Sequence, residues 1–341
     1  MDARHAKTPG PAAGRRQLNF GVRLRRATDA ATDSPPSWTS ALPSAVYGNP
    51  PPDVIETPKE AVQLSPLIPG SADIAKLADA SQDEIALLVP GGAIEARYLL
   101  AQALRVLRPG GALTAAAPKD RGGLRLKKTL TGLGCEVMES SRRHHRICEV
   151  ERPAGSLALA AALEDGAPRI LPSGLWSQPG VFSWDRLDPG SELLLAHLPA
   201  LSGTGADFGC GVGWLSRAAL TSPAVTALTL IDLDRRAVEC AEHNVVDPRA
   251  QFVWADVRTA ATGLSNLDFV VMNPPFHDGG QEDRRLGQAF IRAAADALRT
   301  GGRLWLTANR HLPYEAVLAE AFKAVTPVAD GGGYKIYEAR K

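Results

Sequence analysis

The sequence predicts an α/β protein of two tandem Rossmann-like units. The second should carry a mostly parallel seven-stranded sheet, and the first reads as a degenerate copy of it. Three observations carry that expectation. Short apolar runs alternate with helix-length segments, the pattern of a parallel sheet covered on both faces. A glycine-rich junction, Asp207-Phe208-Gly209-Cys210-Gly211-Val212-Gly213, links an apolar run to a helix start. Three segments of the first half recur, in the same order, in the second.

Residues 1–45 are polar, basic and rich in Pro, Ala, Ser and Thr, with Arg15, Arg16, Arg23, Arg25 and Arg26 in no clear period. They read as a flexible tail, either plain solvated chain or an RNA-tethering arm. Residues 46–160 form the first unit. Ile85–Val89 and Leu113–Ala117 are expected as buried strands, Ala96–Leu107 and Leu124–Leu133 as helices, and Cys135–Val150 as paired strands. Residues 161–180 are the expected linker, and a short helix near Leu157–Leu163 fits there. Residues 181–341 form the second unit. Its strands are expected at Thr204–Phe208, Ala227–Ile231, Ala250–Trp254, Asp268–Met272, Arg303–Thr307, Ala324–Val328 and Tyr334–Glu338. The last two are joined through Asp330-Gly331-Gly332-Gly333, too short for a crossover helix, so they should pair antiparallel.

The repeat aligns Asp83–Pro90 with Asp268–Pro275, Leu107–Leu113 with Leu298–Leu304, and His145–Glu149 with Tyr334–Glu338. Val89 is expected at the place of Asn273, and no glycine loop precedes it. The first copy should therefore keep the scaffold and lack the chemistry.

Composition bounds the function. The 341 residues suit two domains, and the net charge of +1 announces no global nucleic-acid field. The basic excess is modest and N-terminal: residues 1–180 hold 22 Lys+Arg against 18 Asp+Glu, and the remainder 16 against 19. Cys135, Cys148, Cys210 and Cys240 show no C-x-x-C spacing, which suits a reducing cytoplasm and argues against structural zinc. No apolar run approaches the roughly 20 residues of a membrane span. The N-terminus shows no apolar signal region, so secretion is not expected.

The glycine loop does not fit a dinucleotide. A G-x-G-x-x-G count from Gly209 reaches Trp214, and from Gly211 it reaches Ser216. A phosphate loop would need Gly-Lys-Ser/Thr, which is absent. The loop fits S-adenosylmethionine (SAM). Gly209, Gly211 and Gly213 leave room for backbone to approach a ligand. Asp207 is placed for the methionine ammonium, directly or through water. Asp232, at a strand tip, can accept both ribose hydroxyls, whereas Asp234 suits a helix N-cap. Asp256 can accept from the adenine amino group, with the Val257 N–H meeting a ring nitrogen. A plain helix-cap role for Asp256 stays open.

About 65 residues after the loop comes Asn273-Pro274-Pro275-Phe276. A conjugated amine attacks a sulfonium methyl poorly, because its lone pair is delocalised. The Asn273 side-chain oxygen and the Pro274 carbonyl can each accept one N–H and hold the nitrogen in line with the methyl. The two prolines, Pro274 and Pro275, stiffen the loop, and Phe276 offers a face for a flat acceptor. Asn273 should also border the cofactor. His277 could touch substrate or only stabilise the loop. Loop and tetrad together have the layout of SAM-dependent methyl transfer to an amino nitrogen, with no metal required.

The second half resembles the ribosomal small-subunit methyltransferase C (RsmC) family and its large-subunit relative (RlmG). The resemblance is carried by Pro179–Ser183, Leu187-Asp188-Pro189-Gly190-Ser191, Leu193–Leu195, the glycine loop, Asn273–Gly279, Ala308–Tyr314 and Tyr334–Tyr337. It implies two tandem class I methyltransferase folds, the first without cofactor. It further implies transfer to guanine N2 in ribosomal RNA, with 16S rRNA the first choice, and the ribosomal subunit as partner. A cytoplasmic monomer without metal or membrane is expected. Arg142, Arg143 and Arg146, like Arg121, Arg125, Lys127 and Lys128, could bind phosphates or form an ordinary solvated face. The open alternatives are a protein glutamine-N5 methyltransferase, an adenine-N6 nucleic-acid methyltransferase, and a non-catalytic SAM-binding assembly factor.

Overall fold

Two sheets with one strand order organise the chain. The structure, a computed structural model, describes residues 43–275, 277–278, 281–282 and 284–341. In the first half β1 (Ser44–Tyr47), β2 (Val62–Gln63) and β3 (Gln82–Leu88) precede α1 (Ala93–Val106). Next come β4 (Leu107–Pro118), α2 (Leu124–Gly132), β5 (Met138–Arg142) and β6 (His145–Glu151). The expected linker holds the end of α3 (Ala160–Gly166) and a small hairpin, β7 (Arg169–Ile170) and β8 (Trp176–Ser177). Of the expected tail, Ser44 and Ala45 already belong to β1, and residues 1–42 lie outside the described residues.

The second half opens with α4 (Pro189–His197), then β9 (Gly203–Phe208), α5 (Trp214–Leu220), β10 (Val225–Asp232) and α6 (Arg235–Asn244). It continues with β11 (Ala250–Trp254), α7 (Val257–Ala260), β12 (Leu267–Met272) and a short hairpin, β13 (His277–Asp278) and β14 (Gln281–Glu282). The chain closes with α8 (Arg284–Ala297), β15 (Leu298–Asn309), α9 (Glu315–Ala321), β16 (Ala324–Gly331) and β17 (Tyr334–Arg340). The seven strands that the sequence predicts here all form. The last pair is antiparallel, as the short connection requires.

The first sheet runs β2-β1-β3-β4-β6-β5, and the second β11-β10-β9-β12-β15-β17-β16. Removing β11 makes the two orders identical. The registers agree to the residue: Ile85 pairs with Leu113 and Leu113 with Val150, as Val270 pairs with Leu304 and Leu304 with Ala339. The Asp83–Arg108 ion pair recurs as Asp268–Arg299. Such agreement makes the two halves copies of one fold. It also corrects one expectation. With Leu87 level with Met272, Leu88 occupies the place of Asn273, and Val89 comes one residue later.

The central strands of the second sheet are buried on both faces, which is why β12 reads as an apolar run from Phe269 to Met272. Side chains alternate along a strand: Val270 and Met272 enter one core with Phe208 and Leu306, while Phe269 and Val271 enter the other with Leu228 and Trp305. Each such fully buried side chain contributes about 1.5–3 kcal/mol. Among the described residues no helix is long and apolar enough to cross a membrane.

Two glycines show why the repeat keeps Gly-Gly before β4 and β15 continue. A Cβ on Gly111 would stand 2.9 Å from the carbonyl oxygens of Arg108 and Asp83. One on Gly302 would stand 2.8 Å from that of Leu267 and 3.0 Å from that of Arg299. Backbone cannot yield as a flexible side chain does. Gly302→Ala and Gly111→Ala should each lower stability by about 1–3 kcal/mol, read as the midpoint shift in urea unfolding followed by tryptophan fluorescence.

Candidate active site

The site lies at the carboxyl ends of β9, β10 and β12, where the strand order reverses and loops diverge. β9 pairs β10 on one side and β12 on the other, and Phe208 stands opposite Met272. Gly209 and Asn273 therefore leave adjacent strand ends together. A cavity opens there, lined in part by Phe182, Asp188, Ser191, Gly211, Trp214 and Asn273.

The loop after β9 turns sharply because Gly209, Gly211 and Gly213 have φ of +76°, +53° and +94°. No atom lies within 4 Å of where a Gly211 Cβ would be, so that glycine faces open space. Gly213 precedes α5 and lies against α6, where a Cβ would meet Val245 Cγ2 at 2.8 Å.

Asp207 is fully buried. Its Oδ2 accepts from Ser216 Oγ at 2.6 Å, and among the described residues its Oδ1 has no partner. Burial raises its pKa to about 7, the Ser216 hydrogen bond lowers it and the nearby Asp232 raises it. Asp232 ends β10. Its Oδ2 accepts from Gly211 N at 2.8 Å and its Oδ1 from Asp234 N at 2.9 Å. Burial lifts its pKa to about 6, opposed by those backbone bonds and aided by Asp234. Asp234 is the α6 N-cap that the sequence suggests, accepting from Arg236 N.

Asp256 also caps a helix: it accepts from Arg258 N at 2.8 Å and is forked by the Arg258 guanidinium at 2.9 Å. That hydrogen bonding holds its carboxyl below the usual range. An adenine amine would have to share or displace Arg258. Val257 is buried in the first turn of α7.

Asn273 is held from behind. Its Nδ2 donates to Asp188 Oδ2 and to Ser191 Oγ, both at 2.9 Å. A carboxylate can only accept, so the amide nitrogen must face Asp188. Among the described residues the Asn273 oxygen has no donor. Pro274 is buried and Pro275 partly so. Phe276 lies outside the described residues, and of His277 only its place in β13 is described. Asp188 and Ser191 are contacts that sequence reasoning missed; the only signal was their place in Leu187–Ser191. Phe182, at the cavity and 55% exposed, was missed as well.

The first copy fills the same region differently. Register places Val46 where Asp207 stands and Ser65 where Asp232 stands. Gly48, with φ +77°, matches Gly209. The Gln63 side chain closes this loop, accepting from the N–H groups of Gly48, Leu64 and Ser65 and donating to the Gly48 carbonyl.

The basic residues expected to meet phosphate sit on the first copy. Arg142 and Arg143 are exposed on the β5–β6 hairpin, whose turn places Arg143 and His144 at positive φ. Arg143 pairs with Asp53 at 3.1 Å and Arg146 with Glu139 at 3.9 Å. Lys127 and Lys128 of α2 share one groove with Arg146 and the 69% exposed Leu124. The fold thus joins two basic stretches that are separate in sequence.

Comparison with known proteins agrees with this arrangement. The family described as "Methyltransferase small domain" matches residues 173–338. Ribosomal RNA small subunit methyltransferase C of Shewanella loihica is 33% identical over 268 residues, covering 76% of this chain and 77% of its own. That of Shewanella pealeana is 33% identical over 266 residues, covering 75% and 76%. The T. thermophilus 16S rRNA guanine-N2 methyltransferase (RsmC), solved with AdoMet and guanosine, superposes with a TM-score of 0.70 at 26% identity, covering 89% of this chain and 90% of its own. With two matching sheets, a glycine loop and an Asn-Pro-Pro turn side by side, and relatives that align over most of both lengths, the chain belongs to the ribosomal RNA small subunit methyltransferase C family.

Proposed function

We propose that this chain transfers a methyl group from SAM to the exocyclic N2 of a guanine in ribosomal RNA, the 16S species of the small subunit. The observation that carries this reading is Asn273. Its nitrogen is tied back, so its oxygen is presented beside the glycine loop.

The residues present fit the cofactor. The orphaned Asp207 Oδ1 and the open space before Gly211 suit a ligand that brings a cation and hydrogen-bond donors. Asp207 faces the ammonium, through water because it is buried. Gly209, Gly211 and Gly213 line the backbone cradle. Asp232 holds the ribose hydroxyls with the lone pairs its backbone bonds leave free. Asp256 and Val257 border the adenine, and Asn273 borders both ligands. Bound SAM supplies an electrophilic methyl. The Asn273 oxygen and the Pro274 carbonyl accept the two amine hydrogens and aim the nitrogen lone pair, while Pro275 holds the turn and Phe276 and His277 flank the base. The second copy, residues 181–341, is the catalytic domain. The first, 46–160, binds no SAM, its loop being closed by Gln63; it docks RNA through Arg142, Arg143 and Arg146. Residues 161–180 join them. The chain works as a cytoplasmic monomer, in keeping with four buried free cysteines, and methyl transfer itself calls for no metal.

Asn273→Ala should cut single-turnover methylation at saturating SAM by about 10²–10³-fold, the loss seen when one oriented polar group is removed. SAM affinity should change less than twofold. Nucleoside mass spectrometry after reaction with undermethylated small subunits reads the product; label on adenine or on protein glutamine would overturn the assignment.

The raised carboxyl groups set a pH dependence. Asp207 and Asp232 have folded pKa values of about 7 and about 6, above their unfolded ones. Their stabilising contribution is complete below the unfolded values and is lost as pH rises through 6 to 7. The cofactor-free chain should therefore gain stability on mild acidification from this pair. An ammonium and two hydroxyls favour the ionised forms, so SAM affinity should fall by about tenfold per pH unit for each carboxyl that must ionise. Calorimetry from pH 8 to 5.5, in buffers of different ionisation heat, should show proton release that Asp207→Asn reduces.

Neutralising Arg142, Arg143 and Arg146 should weaken RNA binding and flatten its salt dependence, by roughly one unit of slope per lost phosphate contact. Unchanged affinity and slope in filter binding would place the RNA surface elsewhere.

A further inference from the structure

The geometry points to Asp188 as a positioning and charge-relay residue for the methyl acceptor, acting through the Asn273 amide. This inference rests on the proposed acceptor role of Asn273.

Asp188 is 7% exposed. Its Oδ2 accepts from Asn273 Nδ2 and from Ser191 N, both at 2.9 Å, and its Oδ1 lies 3.5 Å from the Tyr334 hydroxyl. Among the described residues no Lys, Arg or His pairs with it. A carboxylate out of water with only neutral donors is unusual, because buried charge is normally paired. Its charge is left to act on what lies beyond those donors. The strongest path runs through the amide. Bonding to a carboxylate at Nδ2 shifts amide electron density toward Oδ1, and serial hydrogen bonds strengthen one another. The Asn273 oxygen then accepts an amine hydrogen better than a free amide would.

The reaction makes that effect differential. The guanine N2 lone pair forms the new N–CH3 bond as the sulfur–methyl bond breaks, and the electron pair of that bond stays on sulfur, which becomes neutral. The amine gains positive charge and then loses one proton to solvent water. Positive charge on nitrogen exists only on the way to product. A negative charge fixed behind Asn273 therefore stabilises the transition state more than the ground state.

The surrounding residues are built for this contact. Asp188 caps α4 with Pro189 in its first turn, which fixes the carboxylate direction. Gly190 lies under the Tyr334 ring, where a Cβ would approach to 2.5 Å. Ser191 supplies a second acceptor to the same amide. The parts are lost together in the first copy, where Leu88 replaces Asn273 and His145 replaces Tyr334.

The test is Asp188→Asn in the full chain. Asparagine caps a helix as well as aspartate, so the fold is kept and the charge removed. Single-turnover transfer at saturating SAM should fall about 10–100-fold, the usual loss when the group behind a site residue is changed. The SAM dissociation constant should stay within twofold and the melting temperature within about 2 °C. In the wild type one Asn273 Nδ2 proton, assigned by its loss in Asn273→Ala, should resonate downfield and move upfield in Asp188→Asn. Ser191→Ala, which keeps the charge, should cost less than fivefold. A wild-type rate for Asp188→Asn, with guanine still labelled by the wild type and not by Asn273→Ala, would overturn the relay and leave the acceptor reading standing. A rate loss matched by lost SAM affinity or melting temperature would make Asp188 merely structural and overturn it as well. Should Asp188→Asn not fold, absence of the downfield proton in the wild type, or a Ser191→Ala loss above tenfold, would do the same. Activity of Asn273→Ala at the wild-type rate would instead sink the acceptor reading itself.

Discussion

The pairing of β9 with β12 is the constraint on which the rest of the site depends. Parallel strands that neighbour in space but not in sequence send their following loops apart, which opens a crevice at their carboxyl ends. Here Val271 lies opposite Asp207 and Met272 opposite Phe208. A shift of one residue would turn Val270 and Met272 out of their core and bring Phe269 and Val271 into it, so burial on both faces holds the register. That register delivers Asn273 beside Gly209. The first copy keeps the pairing, with Tyr47 opposite Leu87, and closes the loop at Gly48 with the Gln63 side-chain amide.

A second constraint joins the copies. Arg236, in the first turn of α6, is buried and forks onto Asp234 with Nε at 3.0 Å and Nη2 at 2.8 Å, and onto Glu95 of α1 with Nη1 at 2.7 Å. Burial raises the Glu95 pKa, and the Arg236 charge and hydrogen bond oppose this. Such a cluster is not evidence of net stability, but removing its central cation would strand two carboxylates at a cost of about 3–5 kcal/mol. Around it Arg235 pairs with Asp73 at 3.0 Å, and the Pro66 carbonyl accepts from Arg235 N and Trp254 Nε1. The first copy therefore grips α6 just beyond Asp232.

Much of this was legible in the chain. The central strands of the second half were visible because burial on both faces leaves apolar runs, as in Phe269–Met272 of β12. The β1 and β2 strands were not, being four and two residues long with no periodicity to read. The α4 helix was hidden by its run of Leu193, Leu194 and Leu195, which reads equally well as a buried strand. The repeat was legible because three short segments, one of them carrying the Gly-Gly turn, recur in the same order; the gapless match of Asp83–Pro90 with Asp268–Pro275 already sets Leu88 level with Asn273, as the strand register does, so Val89 was one residue off.

The sequence by itself determined what local chemistry determines. Glycines with positive φ, a carboxylate at a strand tip, a cap at Asp234, and an Asn-Pro-Pro turn are written in neighbouring residues, whose backbone preferences do not wait on the fold. Tertiary structure alone decided which way those groups face. Only packing could bring Asp188 to Asn273 across 85 residues, or set Gln63 in a loop that a glycine-rich turn fills in the other copy. It also turned Asp256 toward Arg258, a pairing open to two residues so close in sequence but not required of them. A side chain's partner is chosen by the burial of everything around it, and burial is a property of the whole fold.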